Sequence, residues 1–407
     1  MFTRKPARWL TLVIVLGLLL AGCAQAAPPA EEEAAPAEEE AAPAEEEAAP
    51  AEEEAEPAEE AAPTEEEAAP AEEETSEEST LVAFGHVGPV SDEGWTWSHD
   101  QGRLAVEEAF PNVKTEMVEN MPFSDEASRT LQQFVDDGAK MIFITSEYAD
   151  FVYEVADANP DVAFLECNGH RTTDNLINYY PEHWDPSYLI GMAAGLMTET
   201  NQLGYVGSFP TDSVYTSVNA FQLGARSVNP DVTTKVVLIN SWFDPAAARQ
   251  AGETLVDDGA DFLFGIMDEA AYLEVAEERG VWAAMWNTDM RRFGPESYVS
   301  SIELDWNDYY IEEVGNLLNG TWEGNRTVLL PIGMGVDRDD WGENVPQEVQ
   351  DQVDAVRDQM LNEGLNVFVG PIYDTEGNEV IAEGEELSDD YLYRQWTWAV
   401  EGVTGLP

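Results

Sequence analysis

The sequence predicts an α/β protein built from two doubly wound parallel sheets, one in each of two lobes. Three observations predict it. From residue 81 onward, apolar runs of strand length alternate with helical patterns. The region exceeds the usual size of a single hydrophobic core. It also repeats itself at an offset of about 120 residues, too long for a solenoid repeat and right for a lobe.

Taken in order, the chain begins with Arg4, Lys5 and Arg8, an apolar run over 9–21, and then Leu20-Ala21-Gly22-Cys23. A basic start, a short apolar core and small residues before a cysteine predict an export signal over 1–23, the run being short for a membrane span. Cysteine directly after Leu-Ala-Gly looks like a lipobox, which makes Cys23 the expected site of lipidation; the alternative is an ordinary secretory signal with an incidental cysteine. With Cys23 acylated, Cys167 has no partner, so an ordinary apolar core must stabilise the exported part.

Residues 24–79 repeat Pro-Ala-Glu-Glu-Glu-Ala-Ala every seven residues. Each proline costs a continuous helix ~3 kcal/mol and the glutamates repel one another, so an acidic, solvated linker is expected. Beyond it, 59 acidic residues still face 15 basic ones. A field of that sign excludes nucleic acid and anionic lipid as general partners. Adaptation to high salt and a bias in genomic composition both account for it.

Strands are expected at 81–84, 141–145, 162–165, 204–206, 235–239, 262–266, 281–286 and 298–302. Helices are expected at 127–136, 151–158, 188–197, 246–256, 270–278 and 309–319. The duplication runs through them. Val135-Asp-Asp-Gly138-Ala recurs as Val256-Asp-Asp-Gly259-Ala, and Asn120, Phe123 and Arg129 recur as Asn240, Phe243 and Arg249. The expected lobes are 80–190 plus about 305–325, and 191–304 plus about 326–407, with hinges near Met192, Trp306 and Val328.

Open α/β sheets bind ligands beyond the carboxyl ends of their strands. The stretch 86–103 after the first strand carries two tryptophans, three carboxylates and two histidines, more than a solvent loop needs. Its Trp95 and Asp92 are therefore candidates, with Trp97 assigned to packing and His99 and Asp100 to structure. The segment 95–99 falls opposite 215–219 in the second copy, which adds Asn219. Glu147 matches Asp268, and Asn168 matches Asn287, with His170 and Asp289 just beyond. Trp242 and Trp306 also follow strand ends. Flat aromatic faces suit a flat ligand, and the carboxylates and amides suit ring N–H and amino groups. Asp92, or Ser91, and Asp268 serve equally well as helix caps. His170 and Tyr148 divide between ligand contact and loop hydrogen bonding.

Catalytic patterns are poorly supported: the chain has no Gly-x-Ser-x-Gly, no Gly-x-Gly-x-x-Gly, no Walker loop and no His-x-x-x-His. Four scattered histidines argue against a metal site, and neither a cofactor nor enzymatic activity is expected. The chain resembles the basic membrane protein family of substrate-binding lipoproteins, close to the purine nucleoside receptors of ABC transporters. The likeness covers 81–407 and rests on Asp92-Glu-Gly-Trp95-Thr-Trp-Ser-His-Asp-Gln-Gly102-Arg, Tyr188-Leu-Ile-Gly191-Met-Ala-Ala-Gly195, Asn219-Ala-Phe-Gln-Leu-Gly224-Ala-Arg, Asn240-Ser-Trp242-Phe-Asp244-Pro and Asp305-Trp306-Asn-Asp-Tyr-Tyr310.

The resemblance implies a type I two-lobed periplasmic-binding fold with three crossover segments, closing on a purine between aromatics. It implies a monomer anchored to the outer face of the membrane through its lipid and delivering its ligand to an ABC permease. Nucleoside-binding members carry a ribose-holding lysine near positions 301–305, where this chain reads Ser-Ile-Glu-Leu-Asp. That departure favours a free nucleobase such as adenine. Glu147 likewise stands where the nearest relatives lead one to expect an aromatic. The other reading is a surface adhesive or signalling lipoprotein that keeps the fold without transport.

Overall fold

A computed structural model describes residues 79–407. The expected export signal, the lipidation site Cys23 and the acidic linker up to residue 78 lie outside them.

The first half of the chain alternates β1 (Thr80–Gly85), α1 (Trp95–Ala109), β2 (Val113–Val118), α2 (Asp125–Asp136), β3 (Met141–Ile144), α3 (Asp150–Ala158), β4 (Ala163–Cys167) and β5 (Leu176–Pro181). The second half repeats the scheme after α4 (Trp184–Met197). It comprises β6 (Gln202–Gly207), α5 (Asp212–Val228), β7 (Thr233–Leu238), α6 (Pro245–Asp257), β8 (Phe262–Gly265), α7 (Ala271–Arg279), β9 (Trp282–Met285) and β10 (Tyr298–Leu304). There follow α8 (Asn307–Asn319), β11 (Thr327–Leu330), β12 (Val336–Arg338), α9 (Gln347–Glu363), the hairpin β13 (Ile372–Tyr373) and β14 (Glu379–Ile381), α10 (Asp389–Arg394) and β15 (Val403–Thr404).

One sheet has the order β11-β5-β4-β3-β1-β2 and the other β12-β10-β9-β8-β6-β7-β15. The cores 5-4-3-1-2 and 10-9-8-6-7 are the same topology twice, and every pair within them is parallel. The predicted α/β class with two doubly wound sheets is what the chain adopts.

Local chemistry repeats with the topology. Ser124 caps α2 by accepting from Glu126 N–H at 3.3 Å, and Asp244 caps α6 by accepting from Ala247 N–H at 3.0 Å. Pro245 occupies the first turn of α6, where its missing N–H costs nothing. Each Asp-Asp-Gly-Ala ends a helix with its glycine at positive φ, 97° at Gly138 and 107° at Gly259, and turns the chain into a buried strand.

The chain passes between the sheets three times: from β5 to α4, from β10 to α8, and from β11 to β12. The sequence expectation misplaced two of these boundaries. Residues 184–190 sit in α4, which packs on α5 in the second lobe, so the first crossing falls near 182–183 and not near Met192. Val328 lies inside β11, paired with Tyr179 of β5, so the first lobe runs to Leu330 and the third crossing occupies 331–335. The strands β2, β5 and β11 to β15 and the helices α9 and α10 were also not expected.

Helix α4 is apolar all round, as a helix buried on every side must be. Its crossing with α5 is a backbone contact. A β-carbon on Gly191 would stand 2.0 Å from Phe221 O, and one on Gly224 2.0 Å from Tyr188 O. The glycines that carry the family resemblance here serve packing. Gly191→Ala is therefore expected to force the two helices apart and cost about 1–3 kcal/mol or more. Urea denaturation monitored by circular dichroism checks this; an unchanged midpoint would contradict the close crossing.

Candidate functional site

The carboxyl ends of both sheets face a common cavity of about 500 Å³. Of the residues expected from the sequence, Asp92, Trp95, Glu147, Asn168, Trp242 and Asp268 line it. The first lobe supplies the first four, the second lobe the other two.

Trp95 opens α1 and is half-buried. Its indole N–H donates to Thr145 O at 2.7 Å, and its ring meets His99 edge-on at 4.8 Å. Asp92 holds the start of the same helix: Oδ1 accepts from the N–H groups of Gly94 and Trp97, and Oδ2 from that of Thr96, each at 2.9 Å. Its capping role is therefore realised while it borders the cavity. Glu147 lies at the rim, 2.9 Å from Nε2 of His170. Across the cleft, Trp242 is 38% exposed and lines the cavity.

Asn168 and its counterpart Asn287 both adopt positive φ, 60° and 74°, as do Asn120 and Asn240 at 55° and 57°. Asparagine tolerates this left-handed turn better than other side chains, which accounts for its recurrence after strand ends. Asn287 Nδ2 donates to Asp268 Oδ1 at 2.7 Å. Burial, with the Asp92 carboxylate adding to it, pushes the Asp268 carboxyl up to about 7.

The remaining candidates are placed elsewhere. Tyr148 is buried, its hydroxyl donating to Met121 O at 2.5 Å and its ring stacked beneath Phe123 at 4.5 Å. Asn219 is wholly buried in α5. Its amide donates to Trp398 O at 2.8 Å and accepts from Val400 N–H at 3.0 Å, which anchors the C-terminal segment. Asp289 is exposed and engaged by its neighbour Arg291. Trp306, at the second crossing, is fully buried, stacked on His99 at 4.1 Å with Nε1 donating to Ser98 Oγ. His170 stands behind the rim against Glu147 and Arg394. Trp97 is 39% exposed, not packed.

Sequence reasoning missed Phe123 and Phe243, which line the cavity from opposite lobes and are 60% and 54% exposed. The duplication had marked them, but only as repeat landmarks. Tyr180, Asp212 and Trp286 also line it. Glu166 was missed as well. It lies buried at the end of β4, where Oε1 accepts from Tyr148 and Ala149 N–H at 2.7 Å each and so shapes the turn that carries Glu147. Burial pushes its carboxyl up to about 8.

Among the described residues, the cavity wall holds four carboxylates, Asp92, Glu147, Asp212 and Asp268, and no lysine, arginine or histidine. No residue of 301–305 reaches it. Among the described residues, no helix is long and apolar enough to cross a membrane.

The family model for "ABC transporter substrate-binding protein PnrA-like" (Bmp) matches residues 79–368. The chain belongs to the Bmp family. TsgA13 of Haloferax volcanii, named for glucose binding in an ABC transporter, is 38% identical over 81% of this chain and 81% of its own. A purine-binding protein of Brucella abortus is 34% identical over 78% of this Bmp protein and 91% of its own length. Among solved structures, an ABC transporter solute-binding protein from Aeropyrum pernix superposes with a TM-score of 0.60 at 13% identity, covering 77% of this chain and 95% of its own. That likeness concerns the fold alone, and it agrees with the type I two-lobed architecture.

The raised Asp268 carboxyl has a consequence for stability. The folded protein keeps this proton up to about 7, whereas an unfolded chain releases it near 4. Between those values the folded state binds more protons, so the stability this group contributes at low pH is lost as pH rises through the window. Urea midpoints at about pH 4 and about pH 8 are expected to differ less in Asp268→Asn than in the parent. Equal differences in the two proteins would place the Asp268 carboxyl at its ordinary value.

Proposed function

We propose that this Bmp protein captures a flat heterocyclic ligand, a purine nucleobase of the adenine type, between its lobes and delivers it to an ABC permease. One observation carries the reading: aromatic side chains from opposite lobes, Trp95 and Phe123 against Trp242 and Phe243, border one cavity. Closure of such a cleft sandwiches a planar ring, each stack contributing ~1 to 3 kcal/mol. The carboxylates accept from ring N–H and exocyclic amino groups, and a wall of that sign, without a cationic side chain among the described residues, disfavours an anionic ligand. The purine-binding relative supports the same ligand class. In this reading the protein works as a monomer on the outer face of the membrane, held by a lipid on Cys23 and spaced from it by the acidic linker, with no chemistry performed on the ligand.

A second reading, a hexose, draws on the name of TsgA13 and on the same carboxylates, which would equally accept from sugar hydroxyls. Titration calorimetry separates the two. Adenine is expected to bind and glucose not, and Trp95→Ala and Trp242→Ala should each weaken adenine by ~1 to 3 kcal/mol. Glucose binding without adenine binding would select the hexose. Unchanged adenine affinity in both variants would refute the stacking.

A further inference from the structure

The family match ends at residue 368, and the chain beyond it forms the hairpin, α10 and the edge strand β15. This segment is fastened to the second lobe. Strand β15 pairs with β7, Thr216 Oγ1 donates to Leu392 O at 2.7 Å, and Asn219 holds Trp398 and Val400. From it two neighbouring side chains reach the other lobe: the Tyr393 hydroxyl donates to Gly169 O at 3.4 Å, and Arg394 makes the closer contacts. Arg394 Nη2 donates to Asn168 O at 2.7 Å and also to Gly169 O. On its own lobe, Nη1 stands 3.8 Å from the Asp212 carboxylate, and the guanidinium lies over the Tyr393 ring at 3.9 Å.

Both ends of this bridge border the cavity, since Asn168 and Asp212 line it. The bridge also has the right chemistry. A guanidinium is charged at every accessible pH and presents several N–H groups in a rigid fork, so it can satisfy two adjacent carbonyls at once. The Arg394 side chain is only 16% exposed, which protects these bonds from water. In a chain with so few basic residues, an arginine committed to backbone carbonyls across the cleft is a specific investment.

We propose that Arg394 is a positioning residue that latches the closed cleft. It holds the Asn168–Gly169 turn of the first lobe against the C-terminal segment of the second, and slows opening once a ligand is inside. The role rests on the reading that the lobes close around a ligand. Asn219, expected from sequence to touch ligand, acts in this scheme by anchoring the segment that carries the latch.

The test has a ligand-free arm and a ligand arm. The full chain with Cys23→Ser, Glu108→Cys and Glu253→Cys takes one nitroxide on each lobe, because native Cys167 is wholly buried. Pulsed electron resonance then reads the interlobe distance. Arg394→Ala is expected to shift the distribution to longer distances, with Arg394→Lys between it and the parent, whether or not the melting temperature falls. A lower melting temperature with unchanged distances would mean that Arg394 only packs, and the proposal fails. Unchanged distances with unchanged melting also overturn it. In the ligand arm, stopped-flow release of adenine is expected to quicken roughly tenfold in Arg394→Ala, with the association rate little altered. A parent that binds no adenine refutes the ligand reading, while the distances still decide the latch.

Discussion

A parallel sheet delivers the carboxyl end of every strand to one edge, and that constraint organises this molecule. The chain builds such an edge twice, in the orders 5-4-3-1-2 and 10-9-8-6-7, and the two edges face one cavity. Each turn that follows a strand is thereby committed to the cleft, whichever residue it carries. The aromatic pairs Trp95 with Phe123 and Trp242 with Phe243 are consequences of that geometry. So is the recurrence of asparagines at positive φ, which let the chain leave a strand sharply enough to present the next side chain inward.

Behind the cavity wall, the site is held by groups kept neutral through burial. His99 is held well below its ordinary value and stays an uncharged ring stacked on Trp306, its Nδ1 2.5 Å from the Tyr310 hydroxyl. His86 is lowered to about 4 and His183 to about 3 for the same reason. Trp95 leans edge-on against both His99 and Trp306. One cavity wall is thus packed against the residue at a crossing between the lobes. The carboxylates show the complementary effect, with Asp268 and Glu166 raised by burial in a chain whose surface is densely acidic.

Much of this was legible in the residues. The duplication implied two lobes, and matching strand ends led to Glu147 with Asp268 and to Asn168, while the crowded first turn led to Asp92 and Trp95. What strand-end position cannot convey is which way a side chain turns. Asn219 lies on the α5 face covered by the C-terminal segment, and Trp306 sits just before α8 with its indole turned onto His99, away from the cleft. Tyr148 is one residue past Glu147, so strand-end logic admitted both, yet its ring supports Phe123 from below. Strand β2 escaped notice because Lys114 and Glu116 interrupt its apolar pattern, as an edge strand permits. The Arg394 bridge joins positions more than 220 apart in sequence, and no periodicity reports such a contact.

The central claim is that the cavity between the two aromatic pairs is shaped for a planar ring. Its most direct test is mass spectrometry of whatever small molecule is released when the natively purified protein is denatured. The account predicts a mass of a purine nucleobase, present in stoichiometric amount and lost from the Trp95→Ala, Trp242→Ala double variant. A hexose released in that amount, and retained by the double variant, would contradict it.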